Sequence, residues 1–409
     1  MFLTRAVGIA AVLSALVQGQ DAEWSFSVPA TISGGAMYTG RFQMADPGAS
    51  KASPGFRIML YPEVKLGEHW FGYAAIQERL APYFYYDAAN PRHQLHNDVI
   101  QAFGGYSAHW GGASVVAKAG RMVSAFGSFP IRYDDAQNPL LDQPIGYVTE
   151  IPLRDDQLPC GVADLKKQHY GSISLSCGGP AGEEDGLVPA TLYGLPGVEV
   201  DVQAGPVDGR LQLTSGSTVY PQPISLARQY AQWTAGGGYT VRQGFRIGVS
   251  GFRGPYLDGG LAPLLPSGTS VRDFPASGAG VDVQYKRGYW STTGEWQHFQ
   301  FDYPNFVVQP SLTTGYLEAK RILSPRFYVA FREGWWRPGR IVDKTGASAD
   351  ALDVGVQTQE LAVGMWLNRF QLLKTGYEWL EAANRGGNRQ NVFGVQLVTS
   401  FHSLAWGFK

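Results

Sequence analysis

The chain has 409 residues and a formal net charge of -1, and it lacks the basic stripe or patch that marks nucleic-acid-binding proteins. Aromatic residues make up 13% of it, whereas only 16% of the residues are charged, which is below the usual quarter of a soluble domain. This balance favours β structure with one face in an apolar medium. Beyond the N-terminus no stretch has the length and apolar character of a transmembrane helix, so a membrane protein of this sequence must be a closed β-barrel.

Residues 1–19 predict a secretory signal peptide. Arg5 precedes an apolar run at 6–17, and Val17 and Gly19 occupy the positions that the peptidase reads. The run is too short for a membrane anchor, which needs about 20 apolar residues. We therefore expect cleavage after Gly19 and export of residues 20–409.

After the signal segment, short runs alternate apolar and polar residues with a period of two. In 198–203, valines alternate with Glu199, Asp201 and a glutamine, and Gly205-Pro206 then supplies a turn. Strands of about 9 to 11 residues with this alternation are typical of membrane barrels. We predict an all-β, antiparallel transmembrane barrel of about sixteen strands, with 14 or 18 as alternatives. The predicted strands lie near 34–44, 55–65, 70–80, 95–108, 113–122, 197–204, 209–216, 224–234, 239–252, 279–287, 291–301, 312–321, 326–336, 357–368, 371–381 and 391–401.

The connections between these runs alternate in length. Short turns are predicted near 66–69, 109–112, 205–208, 235–238, 288–290, 322–325 and 369–370, with mostly longer connections between them. Bacterial barrels have short periplasmic turns and longer outer loops. On this parity, residues 123–194 form the third outer loop, and we expect this loop to fold into the pore. Aromatic residues near strand ends, among them Trp290, Trp335, Trp336 and the run 83–86, are typical of interfacial girdles.

The entrance to this loop resembles a known family. Residues 119–123 (AGRMV), 125–127 (AFG) and 138–144 (NPLLDQP) are similar to the glycine-basic, Phe-Gly and proline-containing loop pattern of Gram-negative outer-membrane porins of the phosphate-selective type. The resemblance implies a sixteen-stranded, commonly trimeric barrel in the outer membrane, in contact with its lipid and lipopolysaccharide, with the third loop in the pore. The end of the chain departs from the family pattern, because Phe408 is followed by Lys409; a bulge near 400–403 would reconcile the alternation there.

Charges on the polar parity are the candidate pore-lining residues. Arg242 and Arg246 share one face of the predicted strand 239–252. The other candidates are Arg210, Arg228, Lys286, Glu199, Asp201, Asp282 and Glu318, together with Lys320, Arg326, Arg332, Glu360 and Glu378. Both signs are present, so an anion-attracting wall and a wall of mutually neutralising ion pairs are both open.

Residues 123–194 are the predicted constriction loop, and they carry charges of both signs with an acidic excess. The candidate constriction residues are Arg132, Tyr133, Asp134, Asp135 and Asp142. The acidic excess argues against a dedicated phosphate pore. The loop tyrosines either stack on sugars or aromatic solutes or pack against the wall; they are Tyr133, Tyr147, Tyr170 and Tyr193.

Cys160 and Cys177 are the only two cysteines of an exported chain, so we predict a disulfide. A metal site that includes His169 fits no compact zinc spacing, and we expect neither metal nor cofactor. The sequence contains no nucleophile-elbow, P-loop or zinc-protease motif, so we expect no enzyme. The predicted function is passive diffusion of small hydrophilic solutes or ions; the alternative is an exported carbohydrate-binding or structural surface protein without a channel.

Overall fold

The alternating runs pair with their neighbours into one antiparallel sheet that closes on itself. The computed structural model describes residues 24–85, 87, 93–147, 149–168, 177–178, 186–190, 194–216, 219, 231–349, 354–382, 389–401 and 406–407. The strands of this part of the chain are β1 (Trp24–Ser27), β2 (Ala30–Thr39), β3 (Ala52–Leu60), β4 (Glu63–Leu66), β5 (Trp70–Ala81), β6 (Gln94–Trp110), β7 (Ala113–Met122), β8 (Leu195–Ala204), β9 (Val207–Thr214), β10 (Gln232–Arg242), β11 (Phe245–Pro255), β12 (Pro275–Arg287), β13 (Trp290–Phe301), β14 (Phe306–Val308), β15 (Ser311–Ser324), β16 (Phe327–Pro338), β17 (Ile341–Asp343), β18 (Ser348–Ala349), β19 (Val356–Trp366), β20 (Gln371–Ala382), β21 (Arg389–Phe401) and β22 (Trp406–Gly407).

The main sheet of the described chain has nineteen strands, and three of these, β1, β4 and β22, are short extensions at one end. The remaining sixteen pair antiparallel in chain order, and β21 pairs with β2 to seal the ring, from Ala30 opposite Phe401 to Thr39 opposite Val392. The prediction of a sixteen-stranded antiparallel barrel is therefore confirmed. Strands β14, β17 and β18 form a separate small sheet among the long connections.

Short and long connections sort to opposite ends of the barrel. The short-turn end carries 67–69, 111–112, 205–206, 243–244, 288–289, 325–326 and 367–370. The strand ends at the long-loop end are those joined in the sequence by 40–51, 82–93, 123–194, 215–231, 256–274, 302–310, 339–355 and 383–388. Residues 123–194 are thus the third long connection. Within the described residues it includes α2 (Val162–Gln168), and the first long connection includes α1 (Arg41–Ala45). No helix of the described chain has the length and apolar character to cross a membrane.

The wall is apolar outside and polar inside because side chains alternate across each strand. On β8, Val198 and Val200 are 52% and 42% exposed on the outer surface, while Glu199 between them is 5% exposed and faces the interior. The same alternation on β9 places Leu211 outside and Gln212 inside. An outer surface of this kind suits a hydrocarbon environment.

Some aromatic residues lie at the rims of the outer surface, but not all of those predicted to lie there do. Trp70, Trp110 and Trp290 are exposed beside the short turns. Trp336 is instead fully buried, because it falls on the inward parity of β16. In the run 83–86, the side chains of Phe84 and Tyr85 are buried as well, and residue 86 lies outside the described residues.

The predicted turn at 235–238 and the predicted single strand 239–252 are wrong. The turn is at Gln243-Gly244, where Gly244 adopts a positive φ of 81°, and it divides the segment into β10 and β11. The three glycines at 236–238 lie in the middle of β10. A Cβ atom on Gly236 would lie 2.9 Å from the carbonyl oxygen of Ala125, so this glycine allows the third long connection to approach the wall.

Other boundaries also differ from the prediction. The predicted strand 34–44 is instead β2 at Ala30–Thr39, and Arg41–Ala45 form α1. The predicted strand 55–65 is interrupted at Tyr61-Pro62, which separates β3 from β4. The last barrel strand ends at Phe401, as the predicted strand 391–401 does, and Trp406-Gly407 pairs with β1. Residues 402–403 of the predicted bulge at 400–403 lie outside the described residues. The predicted signal peptide, residues 1–19, also lies outside them.

Candidate functional site

Residues 123–147 lie inside the barrel, and we refer to them as the shelf. The backbone N–H of Ser128 donates to Glu295 of β13 over 3.0 Å. On other parts of the ring, Arg332 of β16 donates to the carbonyl oxygen of Asp142 at 2.8 Å, and Arg57 of β3 donates to that of Tyr133 at 2.8 Å. These contacts come from widely separated strands, so the shelf crosses the interior of the barrel.

The apex of the shelf, residues 138–144, is held by inward side chains of β16, β19 and β20. The fully buried Nζ of Lys374 donates to the carbonyl oxygens of Asp135, Asn138 and Leu140 at 2.9, 3.2 and 2.9 Å. Oε1 of Glu360 accepts hydrogen bonds from the backbone N–H groups of residues 141 and 142, at 2.7 and 3.1 Å. The wall therefore binds the backbone of the apex as well as its side chains.

The wall accommodates the apex where its strands carry glycine. Leu141 lies over Gly376 of β20 and Gly394 of β21, where an added Cβ atom would come within 2.5 and 2.6 Å of the leucine methyl groups. Leu140 is fully buried in a small apolar cluster with Ala362 and Leu372. A larger residue at either glycine would displace the apex.

Arg332 and Arg132 form a buried ion-pair network between shelf and wall. Arg332 binds Glu318 at 2.8 Å and Glu360 at 3.4 Å, and it is 3% exposed. Arg132 of the shelf binds the other oxygen of Glu318 at 3.0 Å and also donates to the Tyr316 hydroxyl. Opposite charges thus compensate one another within this network, which favours the ion-pair alternative for this part of the wall.

The shelf carboxylates have different environments. Asp135 pairs with Arg57 at 3.0 Å, and Asp134 accepts a hydrogen bond from the Tyr61 hydroxyl. Asp142 is buried, and its carboxylate accepts hydrogen bonds from the backbone N–H groups of Tyr85 and Gln143, each at 2.7 Å. Burial, and next the nearby carboxylate of Glu360, raise the pKa of Asp142 to about 7.

The loop tyrosines that the structure describes are packed against the wall. The hydroxyl of Tyr147 donates to Glu295 at 2.7 Å, and burial together with this carboxylate raises the pKa of Tyr147 well above its ordinary value. Tyr133 is 7% exposed, and burial raises its pKa as well. Tyr170 and Tyr193 lie outside the described residues, as does His169.

On the short-turn side of the shelf, charges on neighbouring strands form ion pairs. Arg246 of β11 bridges Asp208 and Asp282 at 2.6 and 2.9 Å. Lys118 of β7 binds Glu199 and Asp201 at 2.7 and 2.5 Å. Arg210 of β9 lies opposite Asp201 in the strand register, between these two groups.

Two adjoining cavities lie beneath the shelf. The larger has a volume of about 840 Å³ and extends from the shelf residues Tyr133 and Asp134 to Phe401 near the short-turn end. The smaller, of about 330 Å³, lies among the ion pairs of β8 to β12. Arg210 lines both cavities.

Some predicted pore-lining residues occupy other places. Arg242 does not share a strand face with Arg246, because the turn at 243–244 separates them; Arg242 is exposed at the end of β10. Lys286 is exposed near the short-turn end of β12. Arg228 lies outside the described residues.

Sequence reasoning missed several residues that contact the shelf or line a cavity, among them Lys118, Glu295 and Lys374. Glu295 and Lys374 each lie between outward-facing residues on a strand, so alternation was the signal that could have found them. Their partners in the shelf gave no comparable signal.

Cys160 and Cys177 form a disulfide in the structure, with Cα atoms 5.1 Å apart. The bond lies in the region where the long connections pack together, close to Asn305. Near it, Asp343 of β17 accepts a hydrogen bond from the Val162 N–H at the start of α2. Buried aromatic residues from the other long connections, including Tyr256 and Tyr303, belong to the same core. We refer to the disulfide, α2, β17 and these aromatic residues of the long connections as the cap.

In the described part of the chain no group of three or more His, Cys, Asp or Glu side chains is arranged to hold a metal ion.

No known protein-family model matches the chain, and no curated protein matches it in sequence. Solved structures with the same fold do match. The outer-membrane channel DcaP of Acinetobacter baumannii has a TM-score of 0.53 at 12% identity, covering 93% of this chain and 98% of that one. An anion-selective porin from Comamonas acidovorans has a TM-score of 0.53 at 11% identity, covering 93% and 100%. The outer-membrane protein OmpT of Vibrio cholerae, in its trimer form, has a TM-score of 0.50 at 10% identity, covering 93% and 100%. At these identities the similarity shows a porin-like barrel fold.

Proposed function

We propose that this chain is an outer-membrane porin that forms a passive diffusion channel for small hydrophilic solutes or ions. The observation that carries the proposal is the shelf inside the barrel, with two cavities beneath it that charged and aromatic side chains line. In this proposal the two cavities are a vestibule on the short-turn side, and solutes would pass the shelf beside residues 123–147. The porins and the channel that share the fold support this proposal.

The proposal includes orientation and assembly. The short turns face the periplasm and the long loops face outward, as the lengths of the connections suggest. Residues 1–19 direct export and are removed. The barrel is surrounded by outer-membrane lipid and lipopolysaccharide and assembles as a homotrimer, which the trimer form of OmpT supports.

Within the channel, Arg132, Tyr133, Asp134, Asp135 and Asp142 belong to the constriction, and the inward charges of β8 to β12 line the vestibule. The paired charges support weak ionic selectivity. The similarity of residues 119–144 to porins of the phosphate-selective type supports membership in that broad class, but the ion-paired wall does not favour a dedicated phosphate pore.

The test is recording of the purified protein in planar lipid bilayers. We expect stepwise insertion events with ohmic conductance, and reversal potentials close to zero in a salt gradient. A protein that inserts into bilayers, as shown by flotation with liposomes, yet gives no conductance steps would refute the channel.

A plugged barrel with a structural or binding role is the second candidate. The observation in its favour is the cap, in which Tyr256, Tyr303 and Trp336 are buried among the long connections. The same recording separates the two candidates, because a plugged barrel would insert without conducting.

A further inference from the structure

The larger cavity beneath the shelf has an aromatic wall. Tyr61 and Tyr73 stack with ring centroids 6.4 Å apart and an angle of 21° between planes. Phe103 lies 5.5 Å from Tyr73 and 6.3 Å from Phe71. These four rings line the cavity on three neighbouring segments of the chain. We refer to Tyr61, Phe71, Tyr73 and Phe103 as the aromatic strip. In a vestibule that held only water, the exposure of these apolar rings would be unfavourable.

Polar groups adjoin the aromatic strip. The ammonium group of Lys118 lies 5.6 Å from the centre of the Phe103 ring and is bound to Glu199. Arg210 and Gln101 also line the cavity. Donors and acceptors therefore stand beside ring faces in one space.

The charged lining of this cavity is balanced. Among the described lining residues three are acidic and three are basic: Glu63, Asp134, Glu199, Lys65, Lys118 and Arg210. The pairing of Lys118 with two carboxylates further reduces the field that an ionic solute would feel. A lining without net charge gives no preference to anions or to cations.

We propose that this cavity is a binding subsite for a neutral sugar ring. The C–H face of a pyranose packs on the aromatic strip around Tyr73 and Phe103, while its hydroxyls bond to Lys118, Glu199 and Arg210. The volume of about 840 Å³ accommodates a disaccharide and falls in the range of ligand pockets, about 300–1,000 Å³. This inference rests on the proposed function, because it names neutral sugars as the solute class of the same channel vestibule.

Isothermal titration calorimetry of the detergent-solubilised protein tests the proposal without requiring conductance. Maltose is the sugar probe, sorbitol is an acyclic polyol that lacks the ring face, and sodium benzoate is a charged aromatic. We expect saturable maltose binding, with sorbitol and benzoate at least about tenfold weaker, because neither combines a C–H ring face with neutral hydroxyls.

Substitutions locate the binding site. Phe103→Leu keeps an apolar side chain and removes the aromatic face, and it should weaken maltose binding about tenfold. The matched control is Tyr106→Ala, which removes a ring on the outward face of the same strand β6 and should leave maltose binding unchanged.

Three results would overturn the subsite: no maltose binding by a folded protein, benzoate binding as tight as maltose, or unchanged maltose binding in Phe103→Leu. Bilayer recording of the same preparation distinguishes this failure from failure of the channel. Conductance without maltose binding refutes the subsite alone, whereas maltose binding without conductance refutes the channel and leaves the subsite standing.

Discussion

Substitution of Lys374 tests how the shelf is held against the barrel wall. Its three described acceptors are backbone carbonyl oxygens of residues 135, 138 and 140, so Lys374→Met removes the charge without stranding a carboxylate partner. Methionine has a similar length and fits the buried site. The variant should release the apex of the shelf from β20 while the barrel wall keeps its strand pairing.

The size of the effect follows from these contacts. Hydrogen bonds from a charged donor contribute about 1.5–3 kcal/mol each, so three contribute about 6 kcal/mol. Keeping the ammonium group away from water offsets several kcal/mol of this. A net loss of about 2–3 kcal/mol corresponds to a change of about 100-fold in the equilibrium between bound and released apex.

Two measurements report on the release. Hydrogen exchange of the amides at 135–142 should accelerate by about the same 100-fold if exchange proceeds through this opening. In planar bilayers the variant should show larger and noisier conductance, because the shelf no longer holds one position. The control is Lys286→Met, which removes an exposed lysine near the short-turn end of β12.

A Lys374→Met variant that exchanges and conducts like the unmodified protein would refute this role of Lys374. This role is also refuted if Lys286→Met changes the exchange of 135–142 as much as Lys374→Met does. In either case the carbonyl contacts of Lys374 would not hold the apex.

Three further predictions address the shelf, the cap and the wall. Because the pKa of Asp142 is raised to about 7, the folded protein keeps a proton that the unfolded chain loses near pH 3.9. Protonated Asp142 therefore contributes its full stabilisation below about pH 4, and this contribution is lost as the pH rises through about 7. In Asp142→Asn the free energy of unfolding, measured by urea denaturation at a series of pH values, should change less over this range. Replacing Cys160 and Cys177 with serine removes a link across a sequence separation of 17, worth about 3 kcal/mol. We expect faster proteolysis of the cap and unchanged conductance, and an altered conductance would show that the disulfide shapes the constriction. Val249→Arg places a charge at a position 61% exposed on the outer wall and should cost about 2–4 kcal/mol in lipid, whereas refolding yields equal to those of Val249→Leu would contradict a lipid-facing wall.

The wall of the barrel was predictable because its determinants are local. Alternation in segments such as 198–203 assigns each side chain to a face, and a short turn, often with glycine, follows many of these runs. Both signals are contained within about ten residues. The count of sixteen strands followed from these local patterns together with the alternation of short and long connections.

The error at 235–238 shows where local reading fails. Three consecutive glycines resemble a turn, yet here they give the shelf room to approach the wall at Gly236. The true turn at Gln243-Gly244 carries a single glycine. Glycine alone does not distinguish a bend in the chain from a close approach by a distant segment.

The candidate site was predictable only in part, because its contacts join distant segments. The shelf charges, such as Asp135 and Asp142, could be named from the sequence, but the partners Arg57 and Lys374 lie far away in the chain. Alternation places Lys374 on the inner face without indicating that it binds backbone carbonyls. Such contacts form only when the barrel closes, and no local sequence pattern indicates which distant residues closure brings together.

The pairing of β2 with β21 also has a kinetic consequence. Every other neighbouring pair of the wall joins strands that are consecutive among the sixteen, but this seam joins residues 30–39 to residues 389–401. Until the two strands meet, the growing sheet has two open edges whose unpaired backbone groups can recruit other chains. Contacts between such distant segments form slowly. The chain must therefore be kept from aggregating until its last strand is available, so the seam makes folding of this barrel dependent on the complete wall.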